Sequence, residues 1–167
     1  MRRCIVLVLL ILLTIGFSYQ IDTFQEKMIK ICSAYGMNDE RAQLFSSTLI
    51  EECTLFNMNP LIMFVLAIAE SGLKNTFGDG GGAVGYFQLH KEAVWFVATK
   101  YGLTVPENHK DLIYFPELQI KIAIRYMHYL MERYGTMDKA LEMWNGSAQY
   151  VTYYHDVFIY LKTVYLD

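Results

Sequence analysis

The sequence predicts a mostly α single domain, with any β structure confined to a small hairpin in a glycine-rich central loop. Three observations carry this. Helix start and stop residues recur along most of the chain, and apolar residues repeat between them at helical spacing. Glycine, by contrast, is concentrated in one stretch, Gly78 to Gly85.

The length of 167 residues suggests one domain with a sizeable core. Hydrophobic residues make up 54%, with 13 Tyr, 10 Phe and 9 Met, which excludes intrinsic disorder. The formal charge is −3, and the one basic cluster is Arg2-Arg3. A nucleic-acid binder is therefore not expected, since such proteins carry a clustered basic face.

The first 18 residues read as an export signal. Arg2 and Arg3 precede an apolar core, Ile5 to Ile15, and Gly16-Phe17-Ser18 offers small residues for cleavage. The apolar run is short for a membrane span of roughly 20 residues. An uncleaved anchor is the alternative, and it would be the chain's sole link to a membrane. Residues 19–167 would then form the domain. Cleavage would leave twelve Lys and Arg against seventeen Asp and Glu, a net charge of −5. It would also remove Cys4 and leave Cys32 and Cys53. In an exported protein these two could pair, closing a loop worth about 3 kcal/mol. Two buried thiols are the other reading.

Thr23 with Glu26 forms a capping box, and Phe24, Met28, Ile31 and Tyr35 then share one helical face. Gly36 ends that helix. Asn38 caps a second, with Phe45, Leu49, Cys53 and Phe56 inward. Asn59-Pro60 starts a third. Leu61 to Ala69 is wholly apolar and could be a buried strand, but the Asn-Pro start favours a buried helix with Glu70 in its last turn.

Ser71 to Val84 holds too much glycine for a regular element. His90 to Tyr101 reads as a helix closed by Gly102, and Leu103 to Phe115 as an irregular connection. Pro116 opens the longest helix, to about Tyr134, with Ile120, Ile124, Met127, Leu130 and Met131 inward. Gly135 stops it. Thr136 caps a helix through Trp144, Asn145-Gly146 breaks it, and Ser147 caps an aromatic-rich last helix.

Glu70 is the first candidate for chemistry. A rigid apolar helix would fix the side chain, and low polarity raises a carboxyl pKa. The C-terminal end of the helix dipole also disfavours an anion. A carboxyl raised toward about 6 stays protonated near neutral pH and can donate to a leaving oxygen. A helix-end glutamate turned toward water is the ordinary alternative.

Gly80 to Gly85 satisfies G-x-G-x-x-G but follows a helix and a polar connector, so a dinucleotide site is rejected. The glycines either allow close approach to an extended ligand or form a plain surface loop. Asp79 could be a second carboxylate for glycoside cleavage or an ordinary turn aspartate. Tyr86, Trp144, Tyr150, Tyr153 and Tyr154 could stack on sugar rings, or could be core. His90, His109, His128 and His155 show no metal-ligand spacing, and Ser71 lies in no nucleophile elbow.

Taken together, Glu70-Ser71, then Gly82-Ala83-Val84-Gly85-Tyr86-Phe87-Gln88-Leu89, then Trp144-Asn145-Gly146 resembles the three-part signature of the lytic transglycosylase (SLT-type) domain. Phe115-Pro116-Glu117 is similar to the segment between its second and third blocks. The resemblance covers roughly residues 57–161. The pattern is E-S, then G-A-x-G-[LP]-[MF]-Q, then a Y-N-x-G-like block. Trp144 departs from the tyrosine of the third block, and an indole cannot copy a hydroxyl. The Gly78-Asp79-Gly80-Gly81 stretch also resembles the G-D-x-G loop of goose-type lysozymes.

The resemblance implies a lysozyme-like fold and cleavage of the β-1,4 bond between N-acetylmuramic acid and N-acetylglucosamine in peptidoglycan. It implies Glu70 as acid and then base, with closure of a 1,6-anhydro ring. Substrate contacts are expected from Ser71, Asp79, Gly85, Tyr86, Gln88, Trp144, Asn145 and Tyr154, with Ser71 supporting Glu70 by a hydrogen bond. No metal or organic cofactor is implied. The expected location is the periplasm or cell envelope, or outside the cell. The acidic balance gives no attraction to an anionic wall, and no wall-binding module is recognisable, so recruitment by an envelope assembly or secretion machine is expected. Two alternatives remain: a muramidase hydrolase using Glu70 and Asp79, and a catalytically silent glycan-binding or scaffold protein.

Overall fold

Asparagine side chains set the start of two successive helices. Asn38 Oδ1 accepts from the Arg41 N–H at 2.9 Å, and Asn59 Oδ1 accepts from the Leu61 N–H at 3.0 Å. These are α2 (Asp39–Leu55) and α3 (Pro60–Ser71) in a computed structural model that describes residues 23–166. A first helix, α1, covers residues 23–34, so Thr23 is already helical and Gly36 follows the helix in the left-handed region. The proposed export signal lies outside the described residues.

Six consecutive residues of α3, Met63 to Ile68, are buried, so this helix is enclosed on all sides. It packs between α2 and the last helix, α7 (Ala148–Leu161). The longest helix, α5 (Pro116–Tyr134), packs on α2, α4 (Lys91–Tyr101) and α6 (Met137–Asn145). A π-helical turn, Lys162–Leu166, extends α7. The domain is thus mostly α, as its helical punctuation predicts, with the lysozyme-like fold that the resemblance implies.

The central loop is more ordered than a single hairpin. Three two-residue strands, β1 (Phe77–Gly78), β2 (Ala83–Val84) and β3 (Leu89–His90), form an antiparallel sheet in the order β1-β2-β3. Phe77 pairs with Val84 and Ala83 with His90. The connection after α4 contains a 3₁₀ segment, His109–Tyr114.

An ion pair is buried in the core. Arg125 Nη1 lies 2.7 Å from Glu52 Oε2, tying α5 to α2, with Lys121 Nζ at 3.8 Å. The pairing between Cys32 and Cys53 is not made: both are free thiols, fully buried as small apolar groups. Burial pushes each thiol up to about 12, so the reactive thiolate is suppressed.

Candidate active site

Glu70 occupies the last turn of α3, where the buried helix meets the glycine loop. Its carboxylate accepts a hydrogen bond from the Tyr150 hydroxyl of α7 at Oε1. The Trp144 side chain, at the end of α6, also hydrogen-bonds to it. Burial raises its pKa to about 7, and the negative charge of Asp79 pushes the same way. The two hydrogen bonds favour the ionised form and oppose that rise without cancelling it.

Glu70 and Gln88 form a wall shared by two cavities. The larger, of about 700 Å³, runs along α7, where Tyr153, Asp156 and Tyr160 face Tyr35 and Phe77. The smaller, of about 260 Å³, is closed by Asp79, His90, Trp144 and Asn145. The carboxyl therefore stands between two arms of an elongated depression, a shape suited to an extended chain. The larger arm is aromatic, with Phe77, Tyr153 and Tyr160 about half exposed.

The loop is held against α3 by specific bonds. Ser71 does not reach Glu70: its hydroxyl donates to the carbonyls of Tyr86 at 2.8 Å and Ala67 at 3.2 Å. A serine within a helix readily bonds back to the carbonyl four residues earlier. Gln88 Nε2 donates to the carbonyls of Gly85 at 2.8 Å and Thr76 at 3.2 Å, so this amide braces the loop while lining both cavities. Asp79 and Gln88 both adopt positive φ, an uncommon conformation for residues other than glycine. Asp79 is exposed and lies 3.2 Å from His90 Nε2.

Three residues expected to contact substrate do not line either cavity beside Glu70. Gly85 is buried, with its N–H bonded to Thr76 and its carbonyl taken by Gln88. The Tyr86 side chain packs edge-on against Phe45 in the core, lining a separate cavity. Tyr154 is 3% exposed, and its hydroxyl donates to the Ile62 carbonyl at 3.0 Å, fastening α7 to α3. Tyr86 and Tyr154 were drawn inward by the same aromatic character that made them stacking candidates.

Tyr150 is the reverse case. The sequence offered it as one of several sugar-stacking aromatics, whereas the fold gives it a hydrogen bond to Glu70. Of the groove-lining row Tyr153, Asp156, Val157 and Tyr160, the sequence offered Tyr153 as a sugar-stacking aromatic and missed the other three. Its signal is readable, because these residues recur at three- and four-residue spacing on one helix face. Among the described residues, no group of three His, Cys, Asp or Glu could hold a metal ion. No helix among them is long and apolar enough to cross a membrane.

A lysozyme-like α domain with one partly buried carboxyl at the waist of an elongated groove defines the class. Residues 48–154 match the transglycosylase SLT domain, and the chain belongs to that family. It is similar to an X-ray structure of the lytic transglycosylase Slt from Pseudomonas aeruginosa, an inactive mutant, at 19% identity and a TM-score of 0.55. The match covers 68% of this chain and 20% of that one, so the chain spans about a fifth of its length. At this identity the likeness bears on the fold. Comparison with curated proteins finds no match.

Proposed function

We propose that this domain is a peptidoglycan lytic transglycosylase in which Glu70 is both general acid and general base. The observation that carries the reading is the placement of Glu70 between the two arms of the groove, with its pKa near 7 and the Tyr150 hydroxyl on its carboxylate. Family membership supports the same reaction class.

A glycan strand lies along the groove with its scissile β-1,4 bond at Glu70. The protonated carboxyl gives its proton to the bridging oxygen, and the bond from muramic C1 to that oxygen breaks. The resulting carboxylate takes the proton of the muramic C6 hydroxyl, whose oxygen bonds to C1 and closes a 1,6-anhydro ring. One proton passes from O6 to the leaving oxygen through Glu70, and no water is consumed. Tyr150 and Trp144 steady the carboxylate between the two steps. Trp144 replaces the tyrosine of the family pattern, and the hydroxyl on this carboxylate comes instead from Tyr150. Gln88 and Asn145 line the path of the glycan.

A second reading, hydrolysis with Asp79 activating water, is kept because Asp79 shares the smaller cavity with Glu70. Mass spectrometry of fragments released from purified peptidoglycan separates the two. Anhydro-muropeptides are expected; reducing-end muropeptides would favour the hydrolase. Release by the wild type but not by Glu70→Gln, with glycan binding retained, is the expected result for Glu70 as the acid. No fragments from the folded wild type would favour a binding role. The segment 1–18, read as an export signal, would deliver the domain to the envelope.

A further inference from the structure

A further cavity, of about 300 Å³, shares no lining residue with the two that flank Glu70. That volume is at the small end of the range for ligand pockets, about 300–1,000 Å³. Phe45 and Ile120 supply apolar walls, and the exposed Tyr114 stands at its edge. Besides Tyr114, three polar side chains line it, Arg41, Asn75 and Tyr86, and no acidic residue does.

Asn75 is fully engaged. Its Nδ2 donates to the Ile113 carbonyl at 2.8 Å, and its Oδ1 accepts from Gln119 Nε2 at 2.9 Å. The other two are not. Tyr86 is 4% exposed, and its backbone is held on both sides, the N–H by Gln119 Oε1 at 3.0 Å and the carbonyl by Ser71. Its hydroxyl has no hydrogen-bond partner among the described residues, yet it is not sealed off from the cavity. Arg41 forms no ion pair among the described residues, and its positive charge is felt at the Tyr86 ring. The Tyr86 hydroxyl, on a nearly buried ring, and the exposed Arg41 guanidinium border the same pocket without an acceptor among the described residues, so both are open to an acceptor that enters it. The family pattern has leucine or proline where this chain has Tyr86, so this hydroxyl is a feature of this chain and not of the pattern.

We propose that this cavity binds a carboxylate carried on an apolar body about the size of one side chain. Arg41 takes the charge, the Tyr86 hydroxyl donates to one carboxylate oxygen, and the apolar part lies between Phe45 and Ile120. The same chemistry is offered by a small free acid and by an apolar residue at the end of a peptide chain. The inference stands independently of the reaction assigned to Glu70.

Calorimetric titration of the full chain with 3-phenylpropionate and with N-acetyl-Gly-Gly-Gly-Phe, each beside its carboxamide, tests the site. Each acid is expected to bind at least about tenfold tighter than its amide. Arg41→Gln and Tyr86→Phe should each weaken the acid by about tenfold or more while leaving the amide unchanged. The phenylalanine variant keeps the packed ring, so the fold is retained. Glu70→Gln should leave both affinities as they are. Tighter binding of the peptide would identify a chain terminus as the source, and tighter binding of phenylpropionate a small acid. Equal affinity for acid and amide, or wild-type affinity in Arg41→Gln, would overturn the proposal. So would an absence of heat with either acid at about 10 mM.

Discussion

The Tyr150 hydroxyl, from the first turns of α7, donates a hydrogen bond to Oε1 of Glu70 at the end of α3, across 80 residues of sequence. The bond stabilises the carboxylate, whereas burial stabilises the acid, and burial is the larger effect. Because the proposed reaction needs the acid first, activity should fall as pH rises through about 7. Tyr150→Phe removes the donor, so the alkaline limb of kcat/KM should move to higher pH. The rate below that limb should fall about ten- to hundredfold, the worth of a hydrogen bond to a charged group. A pH–rate profile checks both, and a limb that stays in place would contradict the assignment.

The raised pKa of Glu70 is also a statement about stability. Between its ordinary value of 4.5 and its folded value of about 7, the native state holds a proton that the unfolded state has lost. The contribution is fully present below about 4.5 and disappears as pH rises through 7, amounting to roughly 3 kcal/mol across that window. Glu70→Gln cannot titrate there. The variant should therefore gain on the wild type as pH rises from 4.5 to 8, by at most that amount, as read from urea denaturation at each pH. A constant difference would show that Glu70 titrates normally.

Asp79 is exposed and paired with His90, and it acts on Glu70 through its charge. Asp79→Asn removes a negative charge that raises the Glu70 pKa, so the alkaline limb should shift slightly to lower pH. An exposed pair of this kind contributes little, so the rate at pH 6 should stay within about threefold of wild type. The anhydro product should persist. A loss of hundredfold or more would promote Asp79 to a reacting group and the hydrolase reading with it.

Gly85 is where the loop passes closest to α5. A Cβ built there would lie 2.0 Å from Gln119 Oε1, and φ is +81°. Gln119 is fully buried and bonds to Tyr86, Asn75 and Leu112, so it has nowhere to retreat. Gly85→Ala should cost about 3 kcal/mol, from backbone strain and a displaced buried amide together. Chemical denaturation measures this directly, and a change under about 0.5 kcal/mol would mean that the loop rearranges freely.

Much of this protein was settled by local chemistry. Asn38, Asn59-Pro60, Pro116 and Thr136 start helices where the sequence predicts them, and Gly36, Gly102, Gly135 and Gly146 end α1, α4, α5 and α6 in the left-handed conformation. Capping and proline geometry act within one turn, so they survive any arrangement of the helices. The wholly apolar Leu61 to Ala69 likewise determined that α3 would be the enclosed helix carrying Glu70 at its end. What surrounds Glu70 was decided only in three dimensions. Tyr150 and Tyr154 lie one turn apart on the same helix and are both tyrosines, yet one bonds Glu70 and the other the Ile62 carbonyl. Ser71 adjoins Glu70 in sequence but serves the loop, and Tyr86 turns its hydroxyl into a cavity apart from the groove. A side chain's partner depends on the angle at which its helix meets another. That angle is set by close packing over the whole core, which no local pattern encodes.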